Sequence, residues 1–508
     1  QNLLPHLKWL AEPGYPHVYF MDGEPLVFDA NIFDEDDADY PGGWGTVMVI
    51  GMNFGGGDYE LDLDGDGTYG DATTRSAYVI FDITNPEEPP IVLGEIKDSQ
   101  LGYTTSLPTV VKKRIPDVTA ATEETAGSED WEDPASNDWY LVFGTGPHGS
   151  AALSSGTSDQ DGKIKMLNLA SLVNSGSVSL TTKETGVNES SVGDLHTVDW
   201  NRDLIDDIVY FGTAGSTYGE LHRLELDSTL TSSSVNTMLE VGRPIVAAPM
   251  TALGGDGKRW VMGGTGKLYV AEDNDIVEQD YFFSVYEPKD SDTNEYNYDN
   301  STNTLSGVLE DTTDVRIYSD GQVKTKTGDV YNLGGNEVET LSDMKEEVAS
   351  AGQGWYITLD YDSGVNPSGR VTHQATLDPA NRGFMAFTEY VPPGEVCEIN
   401  GFSYLWELSY EAGISGEFAP LGDDSDAAEI DSITETDSDG NAITVVASAP
   451  KTDIGSGMAS KVVFHQGSGD NLVAITNLST GAIEGTNVAV GNPGYGRQSW
   501  RQVDMSGF

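Results

Sequence analysis

Short segments in which apolar and polar residues alternate recur along the chain, and glycine-rich turns separate them. The stretch from Asp194 to Leu226 contains three such segments, "LHTVDW", "DIVYFGT" and "GELHRLEL". Alternation with a period of two is typical of β-strands, because successive side chains point to opposite faces. In "LHRLEL" it puts Leu221 and Arg223 on one face, and His222 and Leu224 on the other. Glycine after an apolar strand permits a tight hairpin turn, so the stretch is predicted to be an antiparallel meander.

Six units of this kind can be recognised in the sequence. The other five pair "GWGTVMVIGMNFGGG" with "SAYVIFDIT", "TTSLPTVVKKR" with "DWYLVFGTGPHG" and "GKIKMLNLA", "RPIVAAPMTAL" with "KRWVMGGTGKLYVAED", "RVTHQATLD" with "GFMAFTEYV", and "GMASKVVFHQ" with "NLVAITNLSTGAIEGTNVAV". One meander cannot bury its own faces, whereas several stacked radially can, which favours an all-β β-propeller. Because the spacing of the units is irregular, an array of β-sandwiches remains the alternative.

Polar stretches interrupt these units without a clear linker between domains. We therefore predict one domain over residues 1–508, with surface insertions near residues 112–138, 285–350 and 415–447. The segment "EVETLSDMKEEVAS" is the best helix candidate, because its apolar residues recur at intervals of three and four. These residues are Val338, Leu341, Met344 and Val348.

The net charge of the chain limits the classes of molecule that it can bind. The 508 residues include 83 Asp plus Glu against 26 Lys plus Arg, a net charge of −57. Nucleic acid and anionic lipid are poor partners for such a surface, because both are bound through clustered cations. The acidity indicates a surface adapted to saline surroundings, a cation-binding protein, or both.

The sequence contains few features that indicate a cellular compartment. The single cysteine, Cys397, cannot form a disulfide within the chain. No run of about 18 apolar residues predicts a membrane span. The opening "QNLLPHLKWL" lacks the pattern of a signal peptide. We therefore expect a part of a larger protein or a processed product.

One candidate metal site lies inside the meander of the first paragraph, where oxygen-bearing residues are spaced D-x-N-x-D-x-x-x-D. Its ligands would be Asp199, Asn201, Asp203, the backbone carbonyl of Ile205, and Asp207. Ca²⁺ prefers six to eight hard oxygen ligands, and positions one, three, five and seven of a tight loop can supply them. Mg²⁺ is disfavoured because it tends to keep its waters. The alternative is an exposed turn without an ion.

A second candidate lies in "DYELDLDGDGTYGD". Its calcium ligands would be Asp62, Asp64, Asp66, the carbonyl of Thr68, and Asp71. Gly67 at position six suits the sharp turn of an EF-hand loop, but position twelve is Thr73 and not glutamate. The shorter "DSDG" at residues 437–440 is interpreted as a plain turn.

No catalytic motif stands out. The chain has neither H-E-x-x-H nor G-x-S-x-G, and its seven histidines do not cluster in sequence. A carboxylate pair for glycoside hydrolysis remains open, because such a pair forms in space and not in sequence. We expect a binding protein and not an enzyme.

Several stretches together resemble the C-terminal β-propeller of the PilY family, the calcium-binding adhesins and biogenesis factors of type IV pili. They are, in order, "NLLPHLKWLAEPGYPHVYFMDGEPLVFDA", "GWGTVMVIGMNFGGG", "SAYVIFDITNPEEP", "LGYTTSLPTVV", "DWNRDLIDDIVYFGTAGSTYGELHRLEL", "GGTGKLYVAEDNDIVEQDYFFSVYE", "CEINGFSYLWELSYEAG" and "GRQSWRQV". The resemblance spans nearly the whole chain. It implies a quinoprotein-like propeller of about seven blades with irregular insertions, the first blade being incomplete here.

The resemblance also implies calcium ligands, namely the five residues named above from Asp199 to Asp207. The family often has glycine at the fourth or sixth loop position, where this chain has Arg202 and Leu204. The loop at Asp62 has no counterpart that aligns with the family. No stretch of this sequence resembles the family's N-terminal region, often a von Willebrand A-like domain, and the sequence contains no Arg-Gly-Asp motif.

The function that follows from the resemblance is calcium-dependent control of pilus extension and retraction, together with surface attachment. The implied location is extracellular or at the cell surface of a Gram-negative bacterium, at a pilus tip or the outer membrane. The implied partners are minor pilins or a pilus tip complex, an N-terminal fragment of the same precursor, and a host or abiotic surface. The alternatives are a carbohydrate-binding surface propeller and a quinoprotein dehydrogenase. A single cysteine rules out the vicinal disulfide on which such dehydrogenases often stack their cofactor.

Overall fold

The computed structural model describes most of the chain and is nearly all β, with 46% strand and 9% helix. The described residues are 19–114, 137–216, 218–227, 233–289, 303–360, 367–380, 383–394, 400–416, 431–436, 441–466 and 472–488, with 11, 13, 14, 230, 296 and 421. Cys397 and the turn at 437–440 lie outside them.

The first three blades are four-stranded antiparallel sheets. Blade 1 contains β1 (Leu26–Asn31), β2 (Trp44–Gly51), β5 (Tyr78–Asp82) and β6 (Ile91–Ile96), with an inserted hairpin of β3 (Tyr59–Leu61) and β4 (Ala72–Thr74). Blade 2 contains β7 (Thr109–Arg114), β8 (Asn137–Gly144), β9 (Lys163–Asn168) and β10 (Leu180–Glu184). Blade 3 contains β11 (Ser191–Val198), β12 (Ile208–Ala214), β13 (Glu220–Glu225) and β14 (Ser234–Glu240).

The remaining blades are less regular. Blade 4 contains β15 (Met250–Leu253), β16 (Arg259–Gly264), β17 (Tyr281–Tyr286), β23 (Gly354–Thr358) and a short parallel strand β18 (Glu310–Asp311). Blade 5 contains β24 (Thr376–Leu377), β25 (Phe384–Val391), β26 (Phe402–Ser409) and β29 (Lys451–Ser456). Blade 6 contains β30 (Val463–Gln466), β31 (Leu472–Asn477) and β32 (Ile483–Val488). The described residues thus form six blades, one for each unit recognised in the sequence, and do not include the incomplete first blade that the resemblance implies.

The predicted insertions are partly visible. Between β17 and β23 lie α3 (Leu305–Val308), β19 (Val315–Ile317), β20 (Val323–Thr325), β21 (Tyr331–Leu333), β22 (Asn336–Val338) and α4 (Leu341–Ala351). A hairpin of β27 (Ser432–Thr436) and β28 (Ala442–Val446) follows β26. Residues 115–136 lie outside the described part, and the ends of that predicted insertion belong to β7 and β8. Two short helices complete the list, α1 (Ala152–Ser155) and α2 (Leu169–Ser175), with 3₁₀ turns at Pro41–Gly43 and Ala271–Asp275.

The predicted helix exists, but it begins later than its apolar spacing suggested. Val338 ends strand β22, and α4 starts at Leu341. The reason is a capping box, in which Thr340 Oγ1 accepts from the N–H of Asp343 (3.2 Å) and the Asp343 carboxylate accepts from the N–H of Thr340 (2.9 Å). Met344 and Val348 are buried as predicted. No helix in the described part of the chain is long and apolar enough to cross a membrane.

Apolar clusters lie between successive blades, so both faces of the strands are covered. In β12, Ile208 and Tyr210 pack toward blade 4, whereas Val209 and Phe211 pack toward blade 2. The alternation predicted for β13 is confirmed, since Leu221 joins the first of these clusters and Leu224 the second. We expected one face of each strand inside; in fact both faces are buried, because each sheet is stacked between two others.

The first strands of all six blades converge on one cavity of about 520 Å³. Its wall is formed at the starting ends of β1, β7, β11, β15, β24 and β30, by residues that include Glu24, Leu107, Asp194, Val246, His373 and Met458. This convergence places the cavity on the axis of a β-propeller. It also defines a cavity face, from which every first strand runs toward the opposite face.

Candidate metal centres

The loop from Asp199 to Asp207 joins β11 to β12 and is wrapped around its first aspartate. Asp199 Oδ1 accepts from the N–H of Arg202 (2.6 Å), and Asp199 Oδ2 accepts from the N–H of Leu204 (2.8 Å). Arg202 and Leu204 reach this geometry with positive φ, 63° and 67°. Non-glycine residues rarely adopt that region, so the loop is held in a strained conformation.

The other predicted ligands close the same loop. Asn201 Oδ1 accepts from the N–H of Asp203 (2.8 Å), and Asp203 Oδ1 accepts from the N–H of Ile205 (2.9 Å). Asp207 Oδ2 accepts from the N–H of Trp200 (2.8 Å), which ties the end of the loop to its beginning. All the predicted residues thus belong to one compact turn that presents hard oxygen atoms, the donor set that Ca²⁺ requires.

The loop from Asp62 to Asp71 repeats this pattern in blade 1. Asp62 Oδ1 accepts from the N–H of Gly65 (2.6 Å) and its Oδ2 from the N–H of Gly67 (2.9 Å). Asp64 and Asp66 each accept from the N–H two residues on, at 3.0 and 2.6 Å. Asp71 Oδ2 accepts from the N–H of Leu63 (2.8 Å), just as Asp207 does from Trp200. Counted from the first aspartate, the two loops therefore make the same side-chain to backbone hydrogen bonds up to position seven.

The second loop brings its carboxylates closer together than the first. Oxygen atoms of Asp62, Asp64 and Asp71 all lie within 4.8 Å of one another. In the described part of the chain this is the one such acidic or histidine-containing group of three, so Asp199, Asp203 and Asp207 are not drawn together to that distance. The two backbone N–H groups lower the pKa of Asp62, Gly67 having the larger effect. Asp62 therefore stays ionised in mildly acidic solution, as a calcium ligand must.

Residues that the sequence did not single out anchor the first loop to neighbouring blades. Trp200 Nε1 donates to the hydroxyl of Tyr210 (3.1 Å), which donates to Glu287 Oε1 (2.8 Å) beside blade 4. On the other side, Asp206 Oδ2 accepts from the N–H of Lys112 in blade 2 (2.6 Å). Burial raises the pKa of Asp206 to about 6. These partners lie far apart in sequence, so no local pattern reveals them.

The two loops lie on opposite faces of the propeller. The Asp199 loop follows the first strand of its blade and therefore lies on the face away from the central cavity. The Asp62 loop follows the second strand, β2, which returns to the cavity face. Within the inserted hairpin, Leu61 pairs with Ala72 and closes the base of the loop.

Two of the histidines in the described part of the chain are buried and make structural contacts. His222 is fully buried and stacks on Phe211 with 5.3 Å between ring centroids, and burial lowers its pKa to about 3. His196 Nε2 lies 3.0 Å from Thr251 Oγ1, and burial lowers its pKa to about 4. Both are neutral imidazoles with structural contacts.

Comparison with known proteins supports the fold. No family model matches the chain, and no curated protein does so. Among solved structures the chain is similar to the C-terminal domain of PilY1 from Pseudomonas aeruginosa, with a TM-score of 0.57 and 16% identity, covering 96% of this chain and 87% of that one. The chain thus has a PilY1-like propeller fold.

Two other solved structures match less well. One is the polysaccharide lyase Uly1, with a TM-score of 0.31, 10% identity, and coverage of 94% of this chain and 90% of that one. The other is the aldose sugar dehydrogenase of Streptomyces coelicolor in its PQQ-bound form, with a TM-score of 0.20, 12% identity, and coverage of 68% and 90%. At these scores neither match bears on the function of this chain.

Proposed function

We propose that this chain is a calcium-binding β-propeller of a Gram-negative cell surface that acts in type IV pilus biogenesis and adhesion. The observation that carries the calcium part is the shared construction of the two acidic loops. In each, the first aspartate accepts the N–H groups three and five residues on, and the last aspartate ties the loop to its start. The pilus part is supported by the PilY1-like fold.

Calcium would act on this propeller as a switch. The ion would be held by the oxygen atoms of Asp199, Asn201, Asp203, Ile205 and Asp207, and it would offset the repulsion of clustered carboxylates. The Arg259 guanidinium of blade 4 lies 5.2 Å from the centroid of the Trp200 ring, and Asp206 accepts from the N–H of Lys112 in blade 2, so the loop contacts both adjacent blades. Ordering the loop would therefore favour one arrangement of that face, and with it binding of minor pilins or a tip complex. Such coupling requires a different calcium affinity in the two states.

A non-enzymatic role fits the central cavity better than quinoprotein catalysis does. Pyrroloquinoline quinone carries several carboxylates, and the cavity wall carries the carboxylates of Asp22, Glu24 and Asp194. Like charges would oppose such a cofactor. We therefore propose binding and not redox chemistry for this propeller.

A carbohydrate-binding role has one observation in its favour. A cleft of about 340 Å³ on the cavity face is lined by Tyr59, Tyr103, Ser76 and His148. Tyr59 is 42% exposed and its hydroxyl lies 3.3 Å from that of Tyr103. A partly exposed aromatic ring beside hydroxyl groups suits a sugar, which offers both C–H faces and hydroxyls.

Calcium titration by calorimetry on metal-stripped protein tests the proposal. We expect saturable binding, part of which is lost in Asp199→Ala/Asp203→Ala. The matched control is Asp34→Ala/Asp36→Ala, which removes two exposed carboxylates from another turn. If both double variants bind calcium like the parent, the Asp199 assignment is wrong. In the source bacterium, a binding-deficient variant that still supports normal pilus extension and attachment would contradict the switch.

A further inference from the structure

The central cavity contains a carboxylate that a backbone irregularity aims into it. The register between β11 and β12 shifts between Val192 and Leu195, so Gly193 and Asp194 form a β-bulge. A Cβ at Gly193 would lie 2.7 Å from the carbonyl oxygen of Val246, so only glycine fits there. Bulges commonly redirect a side chain next to a functional site. Here the redirected side chain is that of Asp194, which lines the cavity.

Asp194 is only half satisfied by the protein. Its Oδ1 accepts from the N–H of Leu107 (2.7 Å), and its own N–H donates to the carbonyl of Val246 (2.8 Å). Within the described residues, no lysine or arginine forms an ion pair with it and no donor reaches its second oxygen. Burial is the main reason why the pKa of Asp194 rises to about 7, and the charge of Glu24 adds to it. Asp194 is only partly exposed, toward the cavity that it lines, so a cationic ligand there could reach its second oxygen and offset the cost of holding a carboxylate away from bulk water.

The rest of the wall favours a positively charged organic group. Asp22 and Glu24 are exposed and line the same cavity, and none of the described residues that line it is a lysine or arginine. Lys267 lies 5.7 Å from the centroid of the Tyr269 ring, but its charge is paired with Asp273. Phe54 and Tyr269 also line it, with 5.6 Å between their ring centroids. Carboxylates beside aromatic faces form the environment in which alkylammonium and guanidinium groups bind.

A bare metal ion fits the cavity less well. The wall's acidic and histidine side chains do not form a group of three within 4.8 Å in the described part of the chain. The volume, about 520 Å³, is in the range of small-molecule sites and far exceeds what one ion needs.

We propose that the central cavity binds a small organic cation, a primary amine or a guanidine, which pairs with Asp194. This site is separate from the calcium loops and does not depend on them. The charged head lies against the free oxygen of Asp194, and the carbon chain lies along Phe54 and Tyr269. Asp22 and Glu24 at the mouth attract the cation before it enters.

Calorimetry with calcium-loaded protein at pH 8 and 150 mM NaCl tests this, with agmatine and putrescine as probes and 1,4-butanediol as the uncharged control. We expect saturable binding of at least one amine and none of the diol. Asp194→Asn keeps an acceptor for Leu107 and should weaken binding at least tenfold. Asp36→Asn removes one exposed carboxylate and should leave binding unchanged. Equal weakening in both variants would identify a diffuse counter-ion effect and overturn the site, as would unchanged binding in Asp194→Asn or no binding of either amine.

A second readout covers the case in which Asp194→Asn does not fold. In the parent protein, the carboxyl carbon of Asp194 can be followed by NMR while the pH is varied. A bound amine should lower its titration midpoint by more than one pH unit, because a cation favours the ionised form. A midpoint that does not move at saturating amine would overturn the proposal.

Discussion

Arg202 and Gly65 occupy the same position in two separate loops. The backbone N–H of each donates over 2.6 Å to Oδ1 of the aspartate three residues earlier, and the φ angles are 63° and 80°. Glycine adopts this region freely, whereas arginine pays roughly 1–2 kcal/mol to do so. The two loops therefore share one conformation at different conformational cost.

Substituting Arg202 by glycine and Gly65 by alanine should change the calcium affinity of the two loops in opposite directions. We expect Arg202→Gly to tighten binding at the Asp199 loop several-fold, because the left-handed conformation is then easier to adopt in the binding-competent loop. Gly65→Ala should weaken binding at the Asp62 loop to a similar degree. The space around a Cβ at Gly65 is open, so strain and not collision would be the cause. Calorimetry on each variant measures both effects, and a shift of the same sign in both would contradict the explanation.

The buried ion pair of Arg223 and Glu287 should dominate the stability of the junction between blades 3 and 4. Both side chains are fully buried, and Tyr210 also donates to the glutamate. Arg223→Met would leave a buried carboxylate without its cation, and we expect a loss of about 3–5 kcal/mol in the free energy of unfolding.

Denaturant unfolding measures this loss, and Arg75→Met serves as control. Arg75 pairs with Asp58 at the surface, where both side chains are more than a third exposed, so its loss should cost at most about 1 kcal/mol. The double change Arg223→Met/Glu287→Leu should recover much of the stability. If it is no more stable than Arg223→Met alone, the cost is one of packing and not of charge.

Asp194 should make the protein less stable as the pH rises. Its folded pKa of about 7 lies above the ordinary value of 3.8, so the folded state holds the proton more tightly. Its favourable contribution is complete below about pH 4 and is lost as the pH rises toward 7. Asp194→Asn should therefore have a higher melting temperature than the parent at pH 8 and nearly the same one at pH 4. Scanning calorimetry at both pH values measures the melting temperatures. If Asp194→Asn melts higher than the parent by the same amount at pH 4 and at pH 8, the raised pKa is not the cause.

Local patterns predicted the strands and the acidic loops, because both depend on residues close in sequence. The alternation in β13 and the oxygen spacing from Asp199 to Asp207 are examples, and the structure places them in a strand and in one turn. The same locality explains the error at α4, where apolar spacing continued into β22 but the cap at Thr340 set the boundary.

What depends on contacts between blades could not be predicted. The side chain of Asp194 bonds to a residue 87 positions away, and Arg223 pairs with one 64 positions away. The sequence around Asp194 gives no sign of the bulge, because the bulge is fixed by the close approach of Val246 from blade 4. The central cavity and its acidic wall could not be predicted either, because they form only when the first strands of all six blades come together.

The Asp199 and Asp62 loops should bind calcium independently of each other. They lie in blades 1 and 3 and on opposite faces, and each is closed by its own last aspartate, Asp71 or Asp207. We therefore expect calcium titration of the parent to show two equivalents without cooperativity. Asp199→Ala/Asp203→Ala should remove one equivalent, Asp64→Ala/Asp66→Ala the other, and the affinity of the remaining site should change less than twofold. A larger change would mean that the blades transmit ion occupancy across the propeller, and the switch would then involve both faces and not the Asp199 face alone.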